Sequence, residues 1–241
     1  MNHKQLTFAR EFRGYSQTEL SSKIQGLSQS NLSKFEKGLG VLSEDIQKKI
    51  IEFLEFPEDF FNRKISTAIE NANYRKRATV SKSKILKFEN KCKIIGYLID
   101  ELSESIEWPD FKLSPLNVDD GFLPEYVANY TRRLLKINES EPVKNIFSLL
   151  ESVGIILYEI SDDEKFDGVS FISDKGFAII VVNKNFSNDR KRFTIAHELG
   201  HILMHNENNF PISSFRDKEK EANQFASEFL MPEKSIKNVL R

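Results

Sequence analysis

The sequence predicts an α+β protein in two parts, all-helical at its N-terminal end and a small sheet packed on helices towards its C-terminal end. Three observations carry this. The first sixty or so residues place apolar side chains at helical spacing between polar caps, with no period-2 alternation. Segments 154–160, 169–172 and 177–182 are instead rich in β-branched and aromatic residues, and Asp162, Asp163, Asp174 and Gly176 separate them as turn-formers. After Asn188 and Asp189 a long apolar helix is expected, and a last one from about Asp217 to Met231, where Pro232 follows.

Within the first part, Leu6, Ala9 and Phe12 set a helical stripe ending near Gly14, and Ser16 with Glu19 forms a capping box for a helix from Gln17 to about Gln25. Gly26 stops that helix. Ser28 caps a third, with Leu32 and Phe35 inward and Gly38 and Gly40 closing it. A fourth starts at Ser43 with Ile46, Ile50 and Leu54 on one face, and Phe56-Pro57 ends both helix and domain. From Arg63 to Lys93 basic residues dominate, Arg75, Lys76 and Arg77 among them, and the run reads as a solvated linker entering a helix at Ile94, Ile95, Leu98 and Leu102. Trp108, Pro109, Pro115, Asp119 and Asp120 mark an irregular stretch before helices at Tyr126–Leu135 and Ile146–Val153. The expected division is 1–62, 63–120 as a basic helical connector, and 121–241.

Composition narrows the function. With 35 Lys and Arg against 36 Asp and Glu the net charge is −1, so the chain does not coat nucleic acid by bulk charge and any DNA contact is local. A lone Cys92 forms no internal disulfide, no charged leader precedes an apolar run, and no apolar stretch is long enough to span a membrane. A cytoplasmic protein with no membrane partner is expected.

The segment 193–205 holds His197-Glu198-Leu-Gly-His201 inside its helix. Residues four apart lie on one helix face about 6 Å apart along the axis, so both imidazoles can face one tetrahedral zinc ion, with Glu198 beside the remaining coordination position as general base. That is the chemistry of a zinc metalloendopeptidase. A third protein ligand is required. On the last helix Ala222, Phe225, Ala226, Phe229 and Leu230 define the buried face. Glu219 lies about 60° from its centre and Glu221 about 100° away on the opposite flank, which favours Glu219. Asn223, one turn on, shares that side and is placed to orient a ligand histidine. His205 would lie about 12 Å from His197 along the axis, too far to bind the same ion, and is assigned to packing or to the surroundings of the ligands. Glu207 and Met204 stand where a third-histidine pattern would need a histidine and a glycine, so a glutamate-type, gluzincin-like site is favoured. The segment Phe177 to Val182 is expected to form a sheet edge on which a substrate strand adds.

The second and third helices read as a helix-turn-helix, with the third entering the major groove. Its polar face carries Ser28, Gln29, Ser30, Asn31, Ser33 and Lys34. Amides there can read adenine edges, Lys34 and Lys37 can meet phosphates, and Gln17 can touch the DNA backbone. Such modules often bind two half-sites as dimers, so a homodimer is among the expected partners.

Several segments together resemble a known family. Ser16-Gln-Thr-Glu-Leu20, Ser28-Gln-Ser-Asn-Leu-Ser-Lys-Phe-Glu-Lys-Gly38 and Phe56-Pro-Glu-Asp-Phe-Phe61 are similar to an XRE-type helix-turn-helix and its edge, and Tyr74-Arg-Lys-Arg77 to the entry of a connector. Phe166-Asp-Gly-Val-Ser170, Arg190 to His201, Glu219-Lys-Glu-Ala-Asn-Gln-Phe-Ala226 and Leu230-Met-Pro232 resemble the peptidase core of the ImmA/IrrE family. The resemblance covers nearly all of the chain and implies a zincin-like metallopeptidase domain. It puts the metal ligands on His197, His201 and Glu219, the base on Glu198, and makes the substrate a protein, often a transcription regulator, with operator DNA as the other partner. The alternative is a repressor or antitoxin whose zinc domain is a non-catalytic sensor or partner-binding platform.

Overall fold

Four helices follow one another at the N-terminal end, α1 (His3–Phe12), α2 (Gln17–Lys23), α3 (Gln29–Glu36) and α4 (Glu44–Leu54). They belong to a computed structural model that describes residues 1–62, 73–74, 82–138, 141–161, 166–207, 209–233 and 235–236. The capping box is reciprocal: Ser16 Oγ accepts from Glu19 N at 3.1 Å, and Glu19 Oε2 accepts from Ser16 N at 2.8 Å. Ser28 Oγ likewise accepts from Asn31 N, whereas Ser43 starts α4 without a side-chain cap. α2 ends at Lys23, short of Gln25, because Ile24 turns extended and buries its side chain in the core.

Leu6, Leu20, Leu32, Ile50 and Leu54 are fully buried in this first core. Contrary to expectation, the core does not end at Phe56-Pro57. A 3-10 turn, Glu58–Asn62, buries Phe60 and Phe61, and Gln5 Nε2 and Asn2 N donate to the carbonyls of these two residues. Two more large rings need cover, and the long helix α5 (Lys82–Leu102) supplies part of it through Ile94 and Tyr97. Among the described residues, 1–62 and 82–97 form one compact unit, and 73–74 and 98–236 the other. Most of the basic run, including Arg75, Lys76 and Arg77, lies outside the described residues.

A buried ion pair ties the first helix to the third. Arg10 Nε and Nη2 donate to Glu36 Oε1 and Oε2 at 2.6 and 2.8 Å, and Arg10 Nη1 donates to the Tyr15 carbonyl at 2.8 Å. Both side chains are more than nine-tenths buried. Removing one partner strands the other charge, so Glu36→Leu is expected to cost about 3–5 kcal/mol. In urea unfolding, Arg10→Met with Glu36→Leu should recover most of that loss; equal losses in the single and double variants would contradict it.

In the second unit β1 (Asn73–Tyr74), β2 (Ile155–Ile160), β3 (Gly168–Ile172) and β4 (Ala178–Asn183) form one sheet in the order β1-β3-β4-β2. β4 pairs parallel with β2, Ile155 opposite Ala178, and antiparallel with β3, Val169 opposite Val181. The segment expected to offer a free edge is therefore an interior strand, its residues buried throughout. A hydrophobic run of that kind suits a strand covered on both faces and flanked on both sides. β1 pairs with the outer side of β3, Asn73 opposite Ser170.

Helices α6 (Pro124–Leu134), α7 (Ile146–Glu151), α8 (Asn188–Met204) and α9 (Lys218–Leu230) complete the unit. Asp217 caps α9 by accepting from Lys220 N. The irregular stretch before α6 belongs to this core: Leu113 and Val118 are buried in it, Lys112 N donates to Val153 O, and Leu116 N to Leu203 O. Arg132 of α6, itself buried, donates to the carbonyls of Phe229, Asn138 and Glu141, fastening α6 to the end of α9.

Candidate metal centre and nucleic-acid face

Polar residues rarely occupy a helix core without partners, yet His197, Glu198, His201 and His205 of the α8 segment are only 7, 3, 2 and 1 % exposed. Two glycines let neighbouring elements close on them. A Cβ at Gly200 would lie 3.1 Å from Phe225 Cδ1 and 3.4 Å from Ala222 Cα, so the missing side chain admits α9. At Gly168 a Cβ would lie 2.4 Å from Thr194 Cγ2 and 3.4 Å from Glu198 Cγ, so β3 runs directly over the motif.

Close packing brings α9 carboxylates to the histidines. His197 Nε2 and His201 Nε2 are 3.1 Å apart. Glu219 Oε2 lies 3.5 Å from the former and Glu219 Oε1 3.4 Å from the latter. Ligands about 2.0–2.1 Å from a tetrahedral zinc stand about 3.3 Å from one another, so the three donors have the spacing such an ion requires. Protonation agrees with this. Asn223 Oδ1, 3.0 Å from His197 Nδ1, accepts the proton there and leaves Nε2 of the neutral ring as a lone pair facing the centre. Of the two candidate third ligands, Glu219 joins the cluster. Glu221 sits instead 2.8 Å from His205 Nε2.

Glu198, next to His197 on α8, meets β3, where Ser170 Oγ donates to its Oε2 at 2.7 Å. Burial pushes its carboxyl up to about 7, against the charge of His197 and the Ser170 hydrogen bond. The close approach of the His197 and His201 rings holds Glu219 well below the usual carboxylate range. Burial works against a charge on His197, but Glu219 and Glu198 outweigh it and raise that ring. Burial, with His201 nearby, pushes His205 down to about 4 and keeps it neutral. A groove of about 690 Å³ adjoins the trio, bounded by Glu219, Asn223, Glu125, Ser227 and Met231.

Sequence reasoning assigned no role to Ser170 or to the two close-approach glycines. It left His205 without a partner, and only a carboxylate two residues from Glu219 hinted at one.

On the first unit, Ser28, Gln29, Ser30, Asn31, Lys34 and Lys37 are exposed along α3 and its ends, while Ser33 and Gln17 are half-buried. Ser28 Oγ is occupied as the helix cap. Gln17 Nε2 donates to Glu36 Oε2 at 2.7 Å, and its Oε1 accepts from Gln29 Nε2 at 2.9 Å. The buried Arg10–Glu36 pair thus extends through Gln17 to Gln29 and fixes the start of the polar face.

Comparison with known proteins agrees with this division of labour. Residues 151–241 match the peptidase-family profile described as the IrrE N-terminal-like domain, and residues 8–61 match a helix-turn-helix profile. No curated protein and no solved structure matches the chain. Among the described residues no helix is long and apolar enough to cross a membrane.

Proposed function

We propose, from the match of residues 151–241 to the IrrE-type peptidase profile and of residues 8–61 to the helix-turn-helix profile, a cytoplasmic DNA-binding transcription regulator that is also a zinc endopeptidase. Its substrate is a protein, a repressor or other regulator, met where the helix-turn-helix holds the chain on DNA. Residues 1–62 are the DNA-binding part and 121–241 the peptidase part; of the expected connector 63–120, residues 82–97 belong to the first compact unit and 98–120 to the second.

One observation carries the catalytic half: His197, His201 and Glu219 offer ligand atoms within 4.8 Å of one another, and the buried Glu198 adjoins them on α8. A zinc ion, one per chain, supplies Lewis acidity and a water of lowered pKa when bound. Asn223 orients His197 for that role. Glu198 is the base. With one carboxylate oxygen engaged by Ser170, the other is left to take the proton of the attacking water and return it to the leaving amine. The groove beside Glu219 gives an extended peptide room to approach.

Labelling new N-termini in extracts incubated with zinc and either wild type or Glu198→Gln tests the reading. Termini that appear only with wild type identify the substrate. Zinc bound by both proteins with no new terminus from either would shift the function to a repressor or antitoxin with a zinc platform.

For the DNA half, Gln29→Ala with Asn31→Ala is expected to abolish operator recognition without altering metal content, since a lost bidentate base contact costs about 1–3 kcal/mol. Binding to a selected operator, measured at fixed salt against random DNA, should fall to the non-specific level. Unchanged discrimination would remove α3 as the reading face.

A further inference from the structure

Behind His201 a line of polar groups crosses the second unit, and we infer that Asp119, Arg216, Glu221 and His205 form a brace that fixes His201 as the tautomer able to bind a metal, with His205 its positioning residue. The inference rests on the metal-centre reading and names residues that reading does not use.

The brace starts at the 3-10 turn Val118–Asp120. There Asp119 Oδ1 lies 3.0 Å from Arg216 Nε, its Oδ2 accepts from Ser213 N at 2.8 Å, and Arg216 Nη2 donates to Val118 O. Arg216 Nη1 lies 3.3 Å from Glu221 Oε1, and the other oxygen of that carboxylate, Oε2, is 2.8 Å from His205 Nε2. His205 Nδ1 is 3.0 Å from His201 Nδ1.

The donors and acceptors in this line allow one assignment. An ionised carboxylate only accepts, so His205 Nε2 carries the hydrogen. The neutral ring then has a bare Nδ1, which can only accept. His201 must therefore place its hydrogen on Nδ1, and its Nε2 is left as a lone pair, the atom that faces His197 Nε2 and Glu219. Histidine ligands usually hand their second N–H to a carboxylate or carbonyl. Here the carboxylate acts through a second imidazole, because Glu221 on α9 is one ring too distant to reach His201 itself. Arg216 and Asp119 hold Glu221 in place, so a loop and a turn that touch no ligand set the orientation of one.

The full-length chain tests this with Co²⁺, followed by its visible absorption, and with metal-free ¹⁵N spectra of the histidine rings at about pH 8. In His205→Leu, which can neither accept nor donate, Co²⁺ affinity is expected to fall about 10–100-fold. His205→Gln offers a carbonyl to His201 and an N–H to Glu221, and should bind within about threefold of wild type. The metal-free wild type should show His201 as the Nδ1–H form and His205 as the Nε2–H form. Unchanged affinity in His205→Leu, equal losses in the leucine and glutamine variants, or His201 as the Nε2–H form would each overturn the brace. If wild type takes up no Co²⁺, the metal-centre reading fails, and the tautomer spectrum still decides the brace on its own.

Discussion

Glu198→Gln is expected to abolish peptide cleavage, by about 10²–10⁴-fold as the loss of a positioned base requires, while leaving metal content and DNA binding unchanged. The same variant has a second, independent signature. Burial raises the Glu198 carboxyl from 4.5 to about 7, so between those values the folded metal-free chain keeps a proton that the unfolded chain releases. The folded state then binds more protons than the unfolded one, and its stability declines as pH rises through this window and stays lowered above it. Glutamine carries no such dependence. At about pH 8 the metal-free variant is therefore expected to be more stable than wild type by about 3 kcal/mol, the equivalent of the raised carboxyl, with the gap closing towards pH 4. Urea midpoints of both proteins at several pH values read this directly. Cleavage at the wild-type rate would remove Glu198 as the base, and a pH-independent difference in stability would show that its carboxyl is not held protonated by burial.

Zinc is expected to be lost in Glu219→Ala and largely kept in Glu221→Ala. The two carboxylates are two residues apart on α9, but Glu219 lies against both ligand nitrogens and Glu221 against His205. Partners outside the ligand set are worth about 10–100-fold in metal affinity, which bounds the expected loss in Glu221→Ala; deleting a ligand should exceed it. Metal content after dialysis against a weak chelator should stand near one per chain in wild type, fall slightly in Glu221→Ala and approach zero in Glu219→Ala. The reverse order would make Glu221 the ligand, and an empty wild type after zinc-replete growth would leave the DNA-binding half as the output.

The helical register of the first unit was legible because its signals are local. Ser16 with Glu19 and Ser28 with Asn31 make the cap hydrogen bonds that their spacing encodes. Strands β2, β3 and β4 were also legible to within a residue at either end, since β-branched runs bounded by turn-formers need no tertiary information, whereas β1 lies in the stretch read as a solvated linker and is a strand only through its pairing with β3. The placement of Asn223 beside His197 and of Glu219 opposite Glu221 could be anticipated from angles around one helix axis.

Strand order could not. Any of three apolar runs might have stood at the edge, and β4 is interior because β2 joins it in parallel on the side away from its antiparallel neighbour β3, a pairing that skips a strand in the sequence. The same holds for Phe60 and Phe61, which extend the first core beyond Pro57, and for Leu113 and Val118, which belong to the second. By itself the sequence determined the elements, their caps and the pair of histidines with their glutamate, because helical periodicity and i,i+4 spacing are properties of a single segment. Only the tertiary structure decided that Gly200 and Gly168 bring α9 and β3 onto α8, that Ser170 meets Glu198, and that Asp119 reaches His201 through Arg216, Glu221 and His205. Those contacts depend on how closely separate elements pack, which is fixed by side-chain volume and hydrogen-bond partners across the core and not by the pattern of any one stretch.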